Sequence, residues 1–283
     1  MSDVAYLRGI GIRGPGLAGW AATADILAGR APYVDAPTAI VAPAQLPPAE
    51  RRRAGSAVKL AMAVADQAVM QAQADPSTLA TVFTSSSGEC DNCHALCETL
   101  ATPEPMVSPT RFTNSVHNAA SGAWHIAVAS RAPSTSLCAF DDSLIAGLDD
   151  AMTQLAAGAH TVLLVAYDAP YPEPLHTARP TPDSFGVAFV LSNEPGPLPL
   201  ARIEISQPSR DATTAPTSLN DPALERYRTS IPSARALPLL ARIATGIDGD
   251  VTLVDARGML LRLHVTHDAT VRTEPPERTL QCA

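Results

Sequence analysis

The sequence predicts an α/β fold in which a central sheet is covered on both faces by helices. Apolar runs such as "TVLLVAY" and "FGVAFVLS" lack polar alternation, the mark of strands buried on both sides. They alternate along the chain with segments of helical apolar spacing. A composition of 46% hydrophobic and 17% charged residues over 283 positions supplies a sizeable core, and with aromatics at 4% that core must be largely Ala, Val, Leu and Ile.

In chain order, "VAYLRGIGI" reads as a strand and "LAGWAATADILAG" as a helix with a glycine stop. After the proline-rich connector "APYVDAPTAIVAPAQLPP", the stretch "AERRRAGSAVKLAMAVADQAVMQA" predicts one long alanine-rich helix. Next come the strand "LATVFTSSS", the helix "ECDNCHALCETLA", and a helix that begins after "SPTRF" and runs through "SGAWHIAVA". "RAPSTSLCAFDDS" reads as a buried strand running straight into the helix "DDSLIAGLDDAMTQLAAG", with Asp141 as its last strand position. "TVLLVAY" and "FGVAFVLS" complete this part, and punctuation at "NEPGPLPL" marks a boundary near Gly196, dividing 1–195 from a shorter 196–283. The second part reads as the strand "ARIEIS", the polar loop "QPSRDATTAPTSLNDP", the helix "SARALPLLARIATG" and the strands "DVTLVDA" and "MLLRLHV", with a loose tail from Arg272.

A formal charge of −8 argues against a nucleic-acid partner and against anionic membrane surfaces. No apolar run is long enough to span a bilayer and no export signal is visible, so a cytoplasmic location without disulfides is expected.

Several motifs invite a function. "GIGIRG", Gly9 to Gly14, fits a dinucleotide fingerprint, but Pro15 and Gly16 prolong the turn where a phosphate-binding helix should begin, so a strand-exit turn is expected. "CDNCH" matches a haem-attachment pattern, and Cys97 adds a third thiol suggestive of zinc. However, Cys90, Cys93, Cys97 and Leu100 share one helical face, which reads as a core-facing stripe, and neither metal nor other cofactor is expected. "ERRR", Glu50 to Arg53, reads as a solvated helix face, and His117 and His125 as structural residues two helical turns apart.

The stretch "SPTRFTNSVHNAASGAWHIAVASRAPSTSLCAFDDS" resembles the N-terminal half of a beta-ketoacyl synthase of the thiolase superfamily. Ser108 and Pro109, Asn118, Gly122, and Arg131, Pro133 and Ser134 keep that family's order, with Ala132 in place of a glycine. The likeness extends over roughly residues 1 to 192 through "VAYLRGIGIRGPGL" and "GAHTVLLVAYD". It implies a thiolase-like layered fold, mixed sheets sandwiched between helices, with an abbreviated C-terminal half.

Counting from Pro133, the family's nucleophilic cysteine falls on Asp141, a poor acyl carrier that can instead cap the following helix. The two histidines the family brings from its second half have no counterpart beyond His264 and His267. The resemblance therefore points to a chain length factor of the kind found in aryl-polyene-type systems. Such a factor is a non-catalytic partner of an active ketosynthase that meets the acyl carrier protein through the complex, in polyketide or fatty acid-type biosynthesis. It implies a dimer formed through the strand Ser134 to Phe140. It also implies that Arg111, Phe112, Ser115, Val116 and Ala119, with Phe140, border the partner's acyl tunnel; Phe112, Ser115, Val116 and Ala119 would share one helical face. The rival expectation is a condensing, acyl-transfer or hydrolytic enzyme using Cys138, within the strand where access is poor.

Overall fold

The computed structural model describes residues 3–267 apart from 42, 44, 198, 207–208 and 210–213. The expected loose tail from Arg272, and Cys282 within it, lie outside the described residues. Among those described, the elements in order are β1 (Asp3–Arg13), α1 (Trp20–Leu27), α2 (Pro48–Arg53), α3 (Ser56–Ala72), β2 (Ala80–Thr84), α4 (Cys90–Leu100), α5 (Pro109–Thr113), α6 (Ala119–Ala127) and β3 (Ser134–Leu137). They continue with α7 (Ser143–Ala156), β4 (Thr161–Asp168), α8 (Leu175–Ala178), β5 (Phe185–Ser192), β6 (Ala201–Ile205), α9 (Pro222–Ser230), α10 (Leu237–Thr245), β7 (Gly249–Val254) and β8 (Leu260–Thr266).

The eight strands form one mixed sheet in the order β3-β2-β4-β5-β1-β6-β8-β7. β2 runs parallel to β3 and β4, and the remaining pairs are antiparallel. β4 and β5 are buried on both faces, as their unbroken apolar runs require. One core lies under α3 and α6, around Trp124 and Phe83. The other lies under α7, α9 and α10, around Leu144, Phe185 and Leu237.

Of the three glycines of "GIGIRG", Gly14 stands at the strand exit, its amide and carbonyl paired with Leu17, while Gly9 and Gly11 lie inside β1, beneath α3. A register shift between Leu7 and Gly9 changes which residues face each side, so Ala5 and Leu7 precede the shift and Ile10 and Ile12 follow it into the same core. Gly9 and Gly11 are thereby turned toward α3, where added Cβ atoms would sit 2.1 Å from the Ala68 carbonyl oxygen and 1.8 Å from that of Val64. The absence of a side chain is what lets helix and strand backbones touch.

β6 pairs with β1 only over Asp3–Leu7, leaving its later residues unpaired on that side. The Ile10 and Ile12 amides donate instead to the side-chain oxygens of Gln71 (2.8 Å) and Gln67 (3.0 Å). α3 thus supplies both the packing and the hydrogen bonds that the missing strand would give.

Three expected elements differ. The long alanine-rich helix is broken at Ala54–Gly55, where Ala54 is extended and the Glu89 carboxylate occupies the space beside Gly55. The helix after "SPTRF" is two short helices, because Asn114, Ser115 and Asn118 favour turns and His117 is drawn to the Ser85 carbonyl oxygen at 3.2 Å. In the region "NDPALERYRTS", of which the sequence reading assigns only "NDP", as the end of a loop, α9 forms with Asp221 accepting from the Ala223 and Leu224 amides and Pro222 at its first position.

Gly11→Ala should lower the stability of the purified chain by about 3 kcal/mol, since the obstacle is backbone that cannot turn aside. A urea midpoint within a few tenths of a molar of wild type would contradict the close packing of α3 on β1.

Candidate functional site

β2, β3 and β4 run parallel, so their C-terminal ends open on the same side of the sheet, the usual place for a site in such a topology. The loop Ser85–Gly88 leaves β2, Cys138–Asp142 leaves β3, and Asp168 ends β4. Asp168 is buried and its carboxylate accepts from the Ser86 amide and the Ser233 amide, each at 2.8 Å. Burial pushes this carboxyl above the usual range, and the two amide donors pull the other way. Cys138 Sγ donates to the Ser86 carbonyl oxygen at 3.4 Å, joining the loops.

Phe140 has a φ of +54°, a left-handed backbone at a bulky residue immediately before Asp141. The chain turns sharply here through Phe140–Asp142, and α7 starts at Ser143. The strand is therefore shorter than expected and partly exposed, and Asp141 lies beyond it.

Asp142 stands at the N-cap position of α7, but neither its carboxylate nor that of Asp141 accepts from the free amides of the helix. Ser143 holds the turn, its hydroxyl accepting from the Ala139 amide and donating to the Phe140 carbonyl oxygen. Asp141 instead pairs with Arg179, whose guanidinium also donates to the Tyr171 hydroxyl at 2.9 Å and lies 3.5 Å over the Phe140 ring. Arg235 reaches Asp141 at 3.8 Å and Asp142 at 3.2 Å, and Asp142 accepts from the Ala256 amide at 3.0 Å. Two carboxylates of the turn thus bind three later segments of the chain. Two guanidiniums are stronger attractors than the weak partial charges of a helix end.

The segment expected to border a tunnel divides. Phe112 and Val116 point to solvent, at 68% and 48% exposure, and Arg111 is exposed with its carbonyl oxygen accepting from Asn92. Ser115 turns back to the Phe112 carbonyl oxygen. Ala119 lines a cavity of about 220 Å³ with Thr110, Thr113 and Asn114 on one side and Arg53 on the other. The helix break separates these residues, so they do not form one helical face.

The cysteine stripe also faces the other way. α4 buries Leu96, while Cys93 and Cys97 are exposed and Cys90 is half-buried. Burial pushes the Cys90 and Cys93 thiols up, and Cys97 beside Cys93 adds to it. Among the described residues, no group of three or more His, Cys, Asp or Glu is placed to hold a metal ion. Cys138 is exposed rather than hidden in the strand. His264 and His267 sit at the opposite end of the sheet, bonded to Asp250 and Asp248. His125 bonds Thr81 at 2.9 Å.

Residues 20–237 match the family model described as beta-ketoacyl synthase, N-terminal domain. The chain belongs to the beta-ketoacyl synthase family. No curated protein matches. Among solved structures, it is similar to a chain of the ketosynthase ApeO in complex with its chain length factor ApeC from Xenorhabdus doucetiae: TM-score 0.70, 22% identity, covering 92% of this chain and 99% of that one. A chain of the ishigamide ketosynthase/chain length factor gives a TM-score of 0.65 at 17% identity, covering 93% and 99%. A beta-ketoacyl synthase from Burkholderia phymatum STM815 gives 0.67 at 12%, covering 95% and 100%. These likenesses give the thiolase-like fold with an abbreviated second half. No helix among the described residues is long and apolar enough to cross a membrane.

Arg179 and Arg235, which dominate this ketosynthase-like site, were not found from sequence; each lies far from Asp141 along the chain and in no motif. Their pairing should be visible in a double-mutant cycle: Asp141→Ala and Arg179→Ala should couple by about 1 kcal/mol in chemical denaturation, modest because both side chains are partly exposed. Asp168→Asn should cost about 2 to 3 kcal/mol, since its amide would turn an N–H toward one of two buried amide donors. An unchanged melting temperature for Asp168→Asn would contradict that assignment.

Proposed function

We propose that this chain is a non-catalytic, chain-length-factor-like subunit that pairs with an active ketosynthase and shapes its acyl tunnel in polyene, polyketide or fatty acid-type biosynthesis. The observation that carries it is Asp141. At the position the family reserves for a nucleophilic thiol stands a carboxylate held by two guanidiniums. Attack by it on a thioester would give a mixed anhydride, and both Arg partners further reduce its nucleophilicity. Acyl carrier protein would meet the chain through the complex.

The surface supports a partner. Seven of the twelve large apolar side chains that are exposed among the described residues fall between Leu100 and Phe140, in the stretch from the end of α4 to the turn after β3. β3 is at the sheet edge, but four residues reading "STSL" make it short and polar rather than the apolar strand expected. The apolar contact would come from the exposed Phe112, Val116, Ile126 and Phe140. In this reading Phe112 and Val116 face the partner's tunnel, and the cavity beside Ala119 gives its end room.

Co-expression with the cognate ketosynthase should give a stable heterodimer, and Ala119→Phe should shorten its products, because each displaced methylene forfeits about 0.8 kcal/mol of burial. Asp141→Ala should leave product length unchanged. If every substitution lowers yield with lost heterodimer while product length stays fixed, these residues pack an interface only.

A second reading, an enzyme using Cys138, is favoured by the exposure of that thiol. Intact-mass measurement after incubation with acyl-carrier thioesters separates the two. No adduct is expected; a stable adduct removed by Cys138→Ala would replace the non-catalytic reading.

A further inference from the structure

We infer that the cavity between α1 and α10 is a binding site for an amphipathic monocarboxylate, an apolar chain or ring of medium size bearing one carboxylate. The cavity shares no residue with the site around Asp141, so the inference stands apart from the ketosynthase reading. Its volume is about 720 Å³, within the range of small-molecule sites. Ile26 and Leu27 of α1, Leu219, Leu224 and Val251 give it apolar walls.

Among the described residues, two formal charges line it, Asp221 and Arg242. Asp221 is committed, its carboxylate accepting from the Ala223 amide at 2.9 Å and the Leu224 amide at 3.1 Å. Neighbouring carboxylates are committed too. Asp25 pairs with Arg30, and Asp35 with Arg226 and Tyr227. Asp248 and Asp250 bond to His267 and His264.

The Arg242 guanidinium is partly buried against Gly249, where an added Cβ would come within 3.3 Å of it, and no hydrogen bond or ion pair engages it among the described residues. An arginine in the last turn of a helix ordinarily serves the free carbonyls there. Here others serve them: Thr245 Oγ1 donates to the Arg242 carbonyl oxygen, the Gly246 amide to Ile243, and Arg30 to Ala244. The planar fork is left for a ligand, and its geometry matches a carboxylate with two parallel hydrogen bonds. Tyr33, Thr217, Ser218, Asn220 and Thr245 add polar groups to the lining, but apolar side chains from α1, α10 and β7 beside one unpaired guanidinium favour an anion whose remaining body is largely hydrocarbon.

Titration calorimetry of the full chain with sodium decanoate, below its micellar range, tests the assignment. Saturable binding near one per chain is expected, with decanol, which lacks the charge, weaker by about tenfold or more. Arg242→Gln should weaken decanoate to the level of decanol. Ala241→Phe, which fills the cavity from the same helix and keeps the guanidinium, should abolish binding while the far-UV spectrum is unchanged. No saturable decanoate binding, equal binding of decanol, or binding that survives Ala241→Phe would each overturn the proposal.

Discussion

The buried carboxylate of Asp168 is the constraint on which the rest of the site depends. It ends a strand with no solvent on either face, and it is the acceptor for amides from the loop after β2 and from the segment before α10. Buried amides must find acceptors, and here a single side chain supplies both. It therefore fixes the loop that receives the Cys138 thiol, and it ties the shortened second part to the sheet. Ser233, on that segment, also donates its hydroxyl to the Phe185 carbonyl oxygen, so the attachment reaches β5 as well.

On this base stands the sharp turn at Phe140. Its left-handed backbone persists because Ser143 bonds it from inside and Arg179 covers it from outside. The charges of this turn have a mechanical use. Asp141 and Asp142 gather Arg179, Arg235 and Ala256 from three places in the chain, so this turn holds distant parts of the chain together.

How much of this was legible follows from what sequence patterns encode. β4 and β5 were readable residue by residue because strands buried on both faces leave no alternation to confuse. α9 was missed although Asp221–Pro222 is a plain start signal, because its sequence is polar and carries little periodicity. Periodicity placed the three cysteines on one face of α4, but it defines a face without saying where that face looks; only Leu96 packs inward. Asp141 was found by its distance from Pro133, whereas its arginine partners are brought to it by the fold alone.

The glutamines of α3 bear on how the molecule can associate. A sheet has as many places to grow as it has open edges. On β1, Gln67 and Gln71 already occupy the amides a new strand would need. On β7, Thr252 exchanges hydrogen bonds with Thr217, closing that border too. Among the described residues, the strand left with an open flank is β3. A particle with one such flank has a valence of one: joined to another through it, the pair is saturated, and neither a third member nor a fibre can be added by the same contact.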